Sequence, residues 1–235
     1  MLRTFTPGIL TFTILAAPIA QAYEGGDFIL RAGPALVDPD SWSSTVEVDD
    51  VGPIAGWKVD VESNTQLGIT STYMLTGNFG VGLLAATPFR HDIEGADAID
   101  GADLGETKHL PPTLTLQYFP MGSASRLQPY AGIGINYTTF FDEETTPTLT
   151  AAVAPLAAGI DDTKLDLDDS FGLALELGVD FALTDRFGLN AAAWYIDIDT
   201  DATIDAFADG VKVATATTDV EIDPMVYMVG FSYRF

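Results

Sequence analysis

The final eleven residues constrain this chain most. Counting back from the carboxyl end in steps of two gives Phe235, Tyr233, Phe231, Val229, Tyr227 and Met225, all large and apolar. The residues between them, Arg234, Ser232, Gly230, Met228 and Val226, are smaller or more polar toward the terminus. A period of two sends alternate side chains to opposite faces, so this segment is a strand with one greasy face. The last strand of a soluble β-sandwich also alternates. It rarely carries four aromatics on one face and stops at the terminal carboxylate.

The other end of the chain narrows the choice. Arg3 supplies a weak positive region, an apolar run follows from Gly8 to Ala20, and Ala20-Gln21-Ala22 has the small-x-small form of a cleavage site. Residues 1–22 therefore read as a secretory signal peptide, with the mature chain over 23–235. No later stretch reaches about 18 consecutive apolar residues, so no transmembrane helix is expected. Export without a membrane helix leaves the periplasm, secretion or the outer membrane. In that setting the ending resembles the C-terminal strand of bacterial outer-membrane β-barrels. The resemblance implies a partner, the barrel-assembly machinery, which reads the strand ending in Phe235.

Composition agrees. The 22 Gly, 14 Phe and 8 Tyr suit short, twisted strands flanked by aromatic belts. The chain has no Cys, which removes disulfides, cysteine metal sites and cysteine nucleophiles. A formal net charge of −24 argues against nucleic acid as a partner and against anionic substrates. Mean hydropathy is nevertheless positive, so the acidic groups must be segregated from the apolar ones.

Eight strand-like segments follow, at roughly 26–38, 62–76, 79–92, 108–119, 127–142, 169–183, 186–201 and 219–235. Each has at least the roughly 9–11 residues that a tilted membrane strand needs. In the sixth, Phe171, Leu173, Leu175, Leu177, Val179 and Phe181 alternate with Ser170, Gly172, Ala174, Glu176, Gly178 and Asp180. A lipid-facing exterior around a small, partly polar interior produces this pattern. Thr76-Gly77-Asn78, Pro120 to Arg126 and Thr184-Asp185 are short turns. The segments 38–61, 92–108, 142–169 and 199–219 are long and acidic, and the third has an Ala-rich middle open to a helix. Short periplasmic turns and long extracellular loops define the expected fold, an all-β, eight-stranded antiparallel transmembrane β-barrel. Tyr73, Tyr118, Phe181, Phe187 and Phe235 form the expected belt at the turn side; Phe89, Phe141, Phe171 and Tyr195 form the one at the loop side.

Several stretches also resemble the OmpW family. They are Phe28-Ile-Leu-Arg31-Ala-Gly-Pro-Ala, Asn64-Thr-Gln-Leu-Gly68, Leu83-Leu-Ala-Ala-Thr-Pro-Phe-Arg-His91, His109-Leu-Pro-Pro-Thr113, Gly134-Ile-Asn-Tyr-Thr-Thr-Phe-Phe-Asp142, Trp194-Tyr-Ile-Asp-Ile-Asp199 and the Tyr-Arg-Phe ending. They touch nearly every strand of the mature chain, whereas the outer loops depart by being longer and more acidic. The resemblance implies an outer-membrane barrel with a narrow hydrophobic lumen. It also implies passage of small hydrophobic molecules, with links to stress and osmotic adaptation.

Eight strands leave an interior that side chains fill or that holds one small ligand. Strand parity turns Leu84, Trp194, Ile196, Ile198 and Met228 inward, which suggests a hydrophobic site closed below by Leu84 and Trp194. The plainer alternative is that these side chains plug a structural barrel. The same parity places five charges in the lumen or at its rim: Arg31, Arg90, Glu176, Asp180 and Arg234. Buried charges need partners, so Arg31 and Arg234 are expected to pair with such carboxylates. Pro88, Pro111 and Pro112 fall near the outer end of strands three and four. Proline cannot donate to the ladder. They mark either a gap through which a solute leaves sideways into the bilayer or a bulge that shapes the rim.

Other functions are less well served. The chain's two histidines, His91 and His109, are expected as neighbours at the outer rim, in a hydrogen-bonding role. With no Gly-x-Ser-x-Gly elbow and no spaced ligand motif, no catalytic residue, metal or cofactor is assigned. Asp197-Ile-Asp199-Thr-Asp201 lacks the Gly and Glu of an EF-hand loop. The acidic loops read first as a solvated face. A sharper reading is bridging of divalent ions or lipopolysaccharide, and outer-membrane lipid is a partner in any case. A third class is a structural or surface-receptor barrel, with Trp42 and Trp57 as contact anchors in the first loop.

Overall fold

The computed structural model describes residues 23–121 and 125–235. The signal peptide expected over 1–22 and the middle of the Pro120–Arg126 turn lie outside the described residues. From the amino end run β1 (Phe28–Asp38), the short β2 (Trp42–Ser43), β3 (Glu47–Val48) and β4 (Gly52–Pro53), then β5 (Trp57–Val61) and β6 (Asn64–Met74). Next come β7 (Phe79–Ala86), β8 (Phe89–Asp97), β9 (Asp103–Leu110), β10 (Thr113–Tyr118), β11 (Leu127–Thr145) and the helix α1 (Pro147–Val153). The chain ends with β12 (Asp162–Leu167), β13 (Ser170–Ala182), β14 (Phe187–Ile196), β15 (Asp199–Ala208), β16 (Val211–Glu221) and β17 (Met225–Arg234).

Eight of these strands close a ring, all pairs antiparallel, in the order β1, β6, β7, β10, β11, β13, β14, β17 and back to β1. The C-terminal strand makes the closure, in register from Ile29↔Arg234 to Asp38↔Met225. Its ladder is interrupted where Gly33 meets Gly230. A Cβ on Gly33 would collide with the Val229 carbonyl, and one on Gly230 with that of Ala32. Only glycine lets the two backbones approach so closely. Alternation then sorts the side chains: Leu177 is 68% exposed on the outer wall, whereas its neighbour Glu176 is 3% exposed inside. Among the described residues no helix is long and apolar enough to cross a membrane. The crossing belongs to the strands, whose backbone groups are satisfied around the ring.

The acidic segments are not open loops. The hairpin β8–β9 and β5 continue the wall upward from β11, in the order β11-β9-β8-β5. A second sheet, β12-β15-β16-β3-β4 with β2 also on β16, rises from the other side. Their strands are amphipathic: Ala202, Ile204 and Ala206 of β15 turn inward while Asp201, Thr203 and Asp205 alternate with them. Asp209 and Gly210, both at positive φ (49° and 75°), form the two-residue turn that suits a twisted hairpin. The Ala-rich segment carries α1. Its first turn is capped by Thr146, whose Oγ1 accepts from the Leu149 N–H at 3.2 Å, and Leu149 and Val153 are its buried residues.

Strands three and four of the sequence reading are each broken in two, at Thr87-Pro88 and Pro111-Pro112. The first break reverses the inside–outside parity beyond it. Arg90 is consequently not a lumen charge; its side chain is 56% exposed and pairs with Glu106 and Asp92 on the outer surface. Phe89 moves the other way. It is buried, not a member of the upper aromatic belt.

Candidate functional site

The lower lumen is filled by charge. Arg31 of β1 and Asp180 of β13 face each other across the barrel, with Nε to Oδ1 at 2.9 Å and Nη2 to Oδ2 at 2.5 Å. A two-pronged contact of this kind fixes both groups. The remaining capacity is used locally. Nη1 of Arg31 donates to Thr72 Oγ1 at 2.7 Å, while Tyr23 Oη and Asn190 Nδ2 donate to Asp180 at 2.7 and 2.9 Å. Thr72 in turn donates to Gln117, whose Nε2 reaches Glu176 at 2.8 and 2.9 Å, and Thr115 donates to the same carboxylate at 2.7 Å. Buried charge is tolerable here because each group is hydrogen-bonded. Arg234 does not join this network. Its guanidinium meets Asp27 at 3.5 Å near the turn side.

Above the plug lies an apolar layer. Leu84, Trp194, Ile196, Ile198 and Met228 are all buried within one core cluster. Trp194 stands in register with Val226 across β14–β17, and Val226 shares a small cavity with Leu84. Ile198 accepts a main-chain bond from Ile222, which lines the larger cavity above.

That larger cavity is the feature that sequence parity did not reach. It lies between the two sheets of the acidic extension and has a cavity volume of about 50 Å³. Val59, Ile93, Leu104, Phe140, Leu165 and Ile204 supply apolar walls, and His91 and His109 stand among them. None of the five side chains expected to form the hydrophobic site lines it. The walls come from segments whose acidic composition suggested loops, although the alternation in β15 was available as a signal.

The histidines stack with ring centroids 4.7 Å apart and 27° between planes, and Phe140 meets His109 edge-on at 5.9 Å. The strands that carry them, β8 and β9, stand above the closed ring. Burial lowers the pKa of His91; burial and the neighbouring His91 lower that of His109 to about 3. His91 Nδ1 contacts the Glu62 carbonyl at 2.5 Å. The Nε2 atoms of both rings are buried without a hydrogen-bond partner.

The wall has a second interruption. The β7–β10 ladder ends at Leu84↔Thr113 and the β8–β9 ladder begins at Phe89↔His109. Between them, Ala85–Pro88 and Leu110–Pro112 do not pair with each other. Each edge is still held on its far side: Thr87 N–H donates to Leu67 at 3.2 Å and Tyr137 N–H to the Pro112 carbonyl at 3.2 Å. Pro88 and Pro112 are exposed and Pro111 is buried. Behind the break sits a small cavity, about 10 Å³, lined by Leu84, Ala86, Phe89, Pro111 and Val226 among others.

One acidic cluster forms near the upper rim, where Asp197, Asp199 and Asp223 bring ligand atoms within 4.8 Å. Asp223 already accepts from Tyr195 Oη at 2.8 Å and from the Ile198 N–H at 3.2 Å, a structural duty that accounts for its place.

A closed antiparallel ring with an apolar outer wall, a plugged lower lumen and an acidic extension at one end defines an integral β-barrel of the bacterial outer membrane. Residues 24–235 match the OmpW family, and the chain belongs to it. Outer membrane protein W of Vibrio cholerae is 44% identical over 230 residues, covering 97% of each chain. Outer membrane protein W of Escherichia coli is 40% identical over 234 residues, the full length of both. The crystal structure of OprG from Pseudomonas aeruginosa aligns with a TM-score of 0.81 at 47% identity, over 92% of this chain and 98% of that one.

Proposed function

We propose that this barrel passes small hydrophobic molecules from the extracellular cavity into the bilayer through the break between β7 and β10. The observation that carries the reading is the coincidence of three features. An apolar cavity lies above, a charged, hydrogen-bonded plug fills the lumen below, and the interrupted ladder lies between them at the level of Leu84. An apolar solute entering from above gains burial at each step until it meets the Arg31–Asp180 layer, where desolvating charge forbids further descent. The side break is then its exit. Leu84 and Trp194 are the gate in this reading, because Leu84 lines the small cavity behind the break and Trp194 stands in register with Val226 of the same cavity. The OmpW resemblance implies the same class of solute.

No catalytic chemistry is part of the proposal. His91 is oriented by a main-chain carbonyl, and no hydroxyl nucleophile bonds either free Nε2 among the described residues.

The test uses protein refolded into liposomes. Cysteines replacing Ala86 and Pro111, joined by a cleavable cross-linker, should abolish flux of an apolar fluorescent probe, and cleavage should restore it. Flux that survives cross-linking would defeat lateral exit. The double variant Leu84→Ala, Trp194→Ala should change the rate of passage; an unchanged rate would remove the gate.

A further inference from the structure

We propose that the His91–His109 pair reads the polar head of the solute, so that the extracellular cavity selects uncharged amphiphiles carrying one O–H donor, such as medium-chain primary alcohols. This inference rests on the reading of the cavity as a solute site.

The argument begins with His91. Its Nδ1 lies 2.5 Å from the Glu62 carbonyl, which can only accept, so Nδ1 carries the proton. A neutral imidazole then presents Nε2 as a bare acceptor, and burial keeps the ring neutral. That Nε2 is buried, has no partner and belongs to a side chain that lines the cavity. His109, stacked on it, has an unpartnered Nε2 as well.

The other polar side chains around the cavity are already committed. The hydroxyls of Thr200 and Thr218 donate to the carbonyls of Asp168 and Ser44 at 2.7 and 3.0 Å, and that of Thr107 donates to Lys108 at 3.4 Å. The rest of the lining is apolar. The unsatisfied acceptor is therefore matched to a group that arrives attached to an apolar body. The group must be a donor, since a carboxylate or ether oxygen would set lone pair against lone pair. It must also be uncharged, because no carboxylate lines the cavity to offset an ammonium. Nor do the two rings form a metal site. No third His, Cys, Asp or Glu joins them in any candidate cluster among the described residues.

The experiment compares 1-octanol with 1-methoxyheptane, which has the same number of heavy atoms but no donor, on ¹⁵N-histidine-labelled protein in lipid nanodiscs. Octanol should move the His91 Nε2 resonance and the ether should not. Octanol should also bind about three- to tenfold tighter than the ether after both are corrected for partition into empty nanodiscs, the range expected for one neutral hydrogen bond. His91→Phe, which keeps the aromatic stack, should erase that preference. Equal affinities, a stationary resonance on octanol binding, or a preference that survives in His91→Phe with His109→Phe would each overturn the proposal, as would failure of either probe to bind. If the variants do not fold, the wild-type resonance decides alone. Alkane flux through the wild-type protein is measured in parallel. Flux that persists while the two probes are indistinguishable sinks head recognition and spares passage. Absent flux with a moving resonance does the reverse.

Discussion

At the scale of single residues, the buried ion pair and the surface pairs illustrate opposite regimes. Asp180 is 3% exposed and holds Arg31 with two bonds. Removing it leaves a buried guanidinium uncompensated, and Asp180→Ala should destabilise the barrel by about 3–5 kcal/mol. Joint replacement, Arg31→Met with Asp180→Leu, should recover most of the loss. Urea titration followed by the gel-mobility shift of the folded barrel checks both. Arg234 and Asp27, 3.5 Å apart and partly solvated, should behave differently: Asp27→Asn is expected to cost no more than about 1 kcal/mol. Parity in the sequence placed Arg31, Glu176 and Asp180 together in the interior, because the strands bearing them are unbroken there. It could not assign partners, since pairing across a ring depends on closure and stagger. Parity failed at Arg90 for a definite reason: Pro88 interrupts the strand, and every side chain beyond it faces the opposite way.

At the scale of elements, eight membrane strands were legible because lipid outside and a packed lumen inside impose strict alternation on each. The extension was not, because its strands share their outward positions with dense Asp and Glu and so resemble solvated loops. The Asp209-Gly210 turn was the missed signal. Gly210 sits at φ 75°, a conformation that costs an L-residue roughly 1–2 kcal/mol. Gly210→Val should therefore loosen the β15–β16 hairpin by about that amount without opening the barrel below. Hydrogen exchange would show faster exchange along β15 and β16, with β13 and β14 unchanged. Because Ala202 and Ile204 of β15 line the upper cavity, the same variant should weaken binding of an apolar probe there.

At the scale of the whole molecule, the charge of −24 and the positive mean hydropathy are reconciled by height. Apolar side chains clothe the ring, and carboxylates crowd the extension around an apolar cavity. That arrangement makes the extension more sensitive to acid than the ring. His109 titrates near 3 in the folded extension because burial penalises its charge, against an ordinary value of 6.5. His91, beside Asp92, is shifted in the same direction. Below 6.5 the opened extension takes up protons that the closed one refuses, so closure loses up to about 1.4 kcal/mol per histidine for each pH unit in this window. Asp199 and Asp201 act with the opposite sign. Desolvation and neighbouring carboxylates raise their pKa values, so protonation favours the closed form, but only at the lower pH where carboxylates titrate. Between pH 7.5 and 5.5 the histidines should dominate. Amides of β8, β9 and β15 should become less protected over that interval once intrinsic exchange rates are corrected, while those of β13 hold. In His109→Phe the slope should shrink, because the remaining contribution is that of His91. An acid-induced loss of protection that is undiminished in the variant would remove His109 as its source.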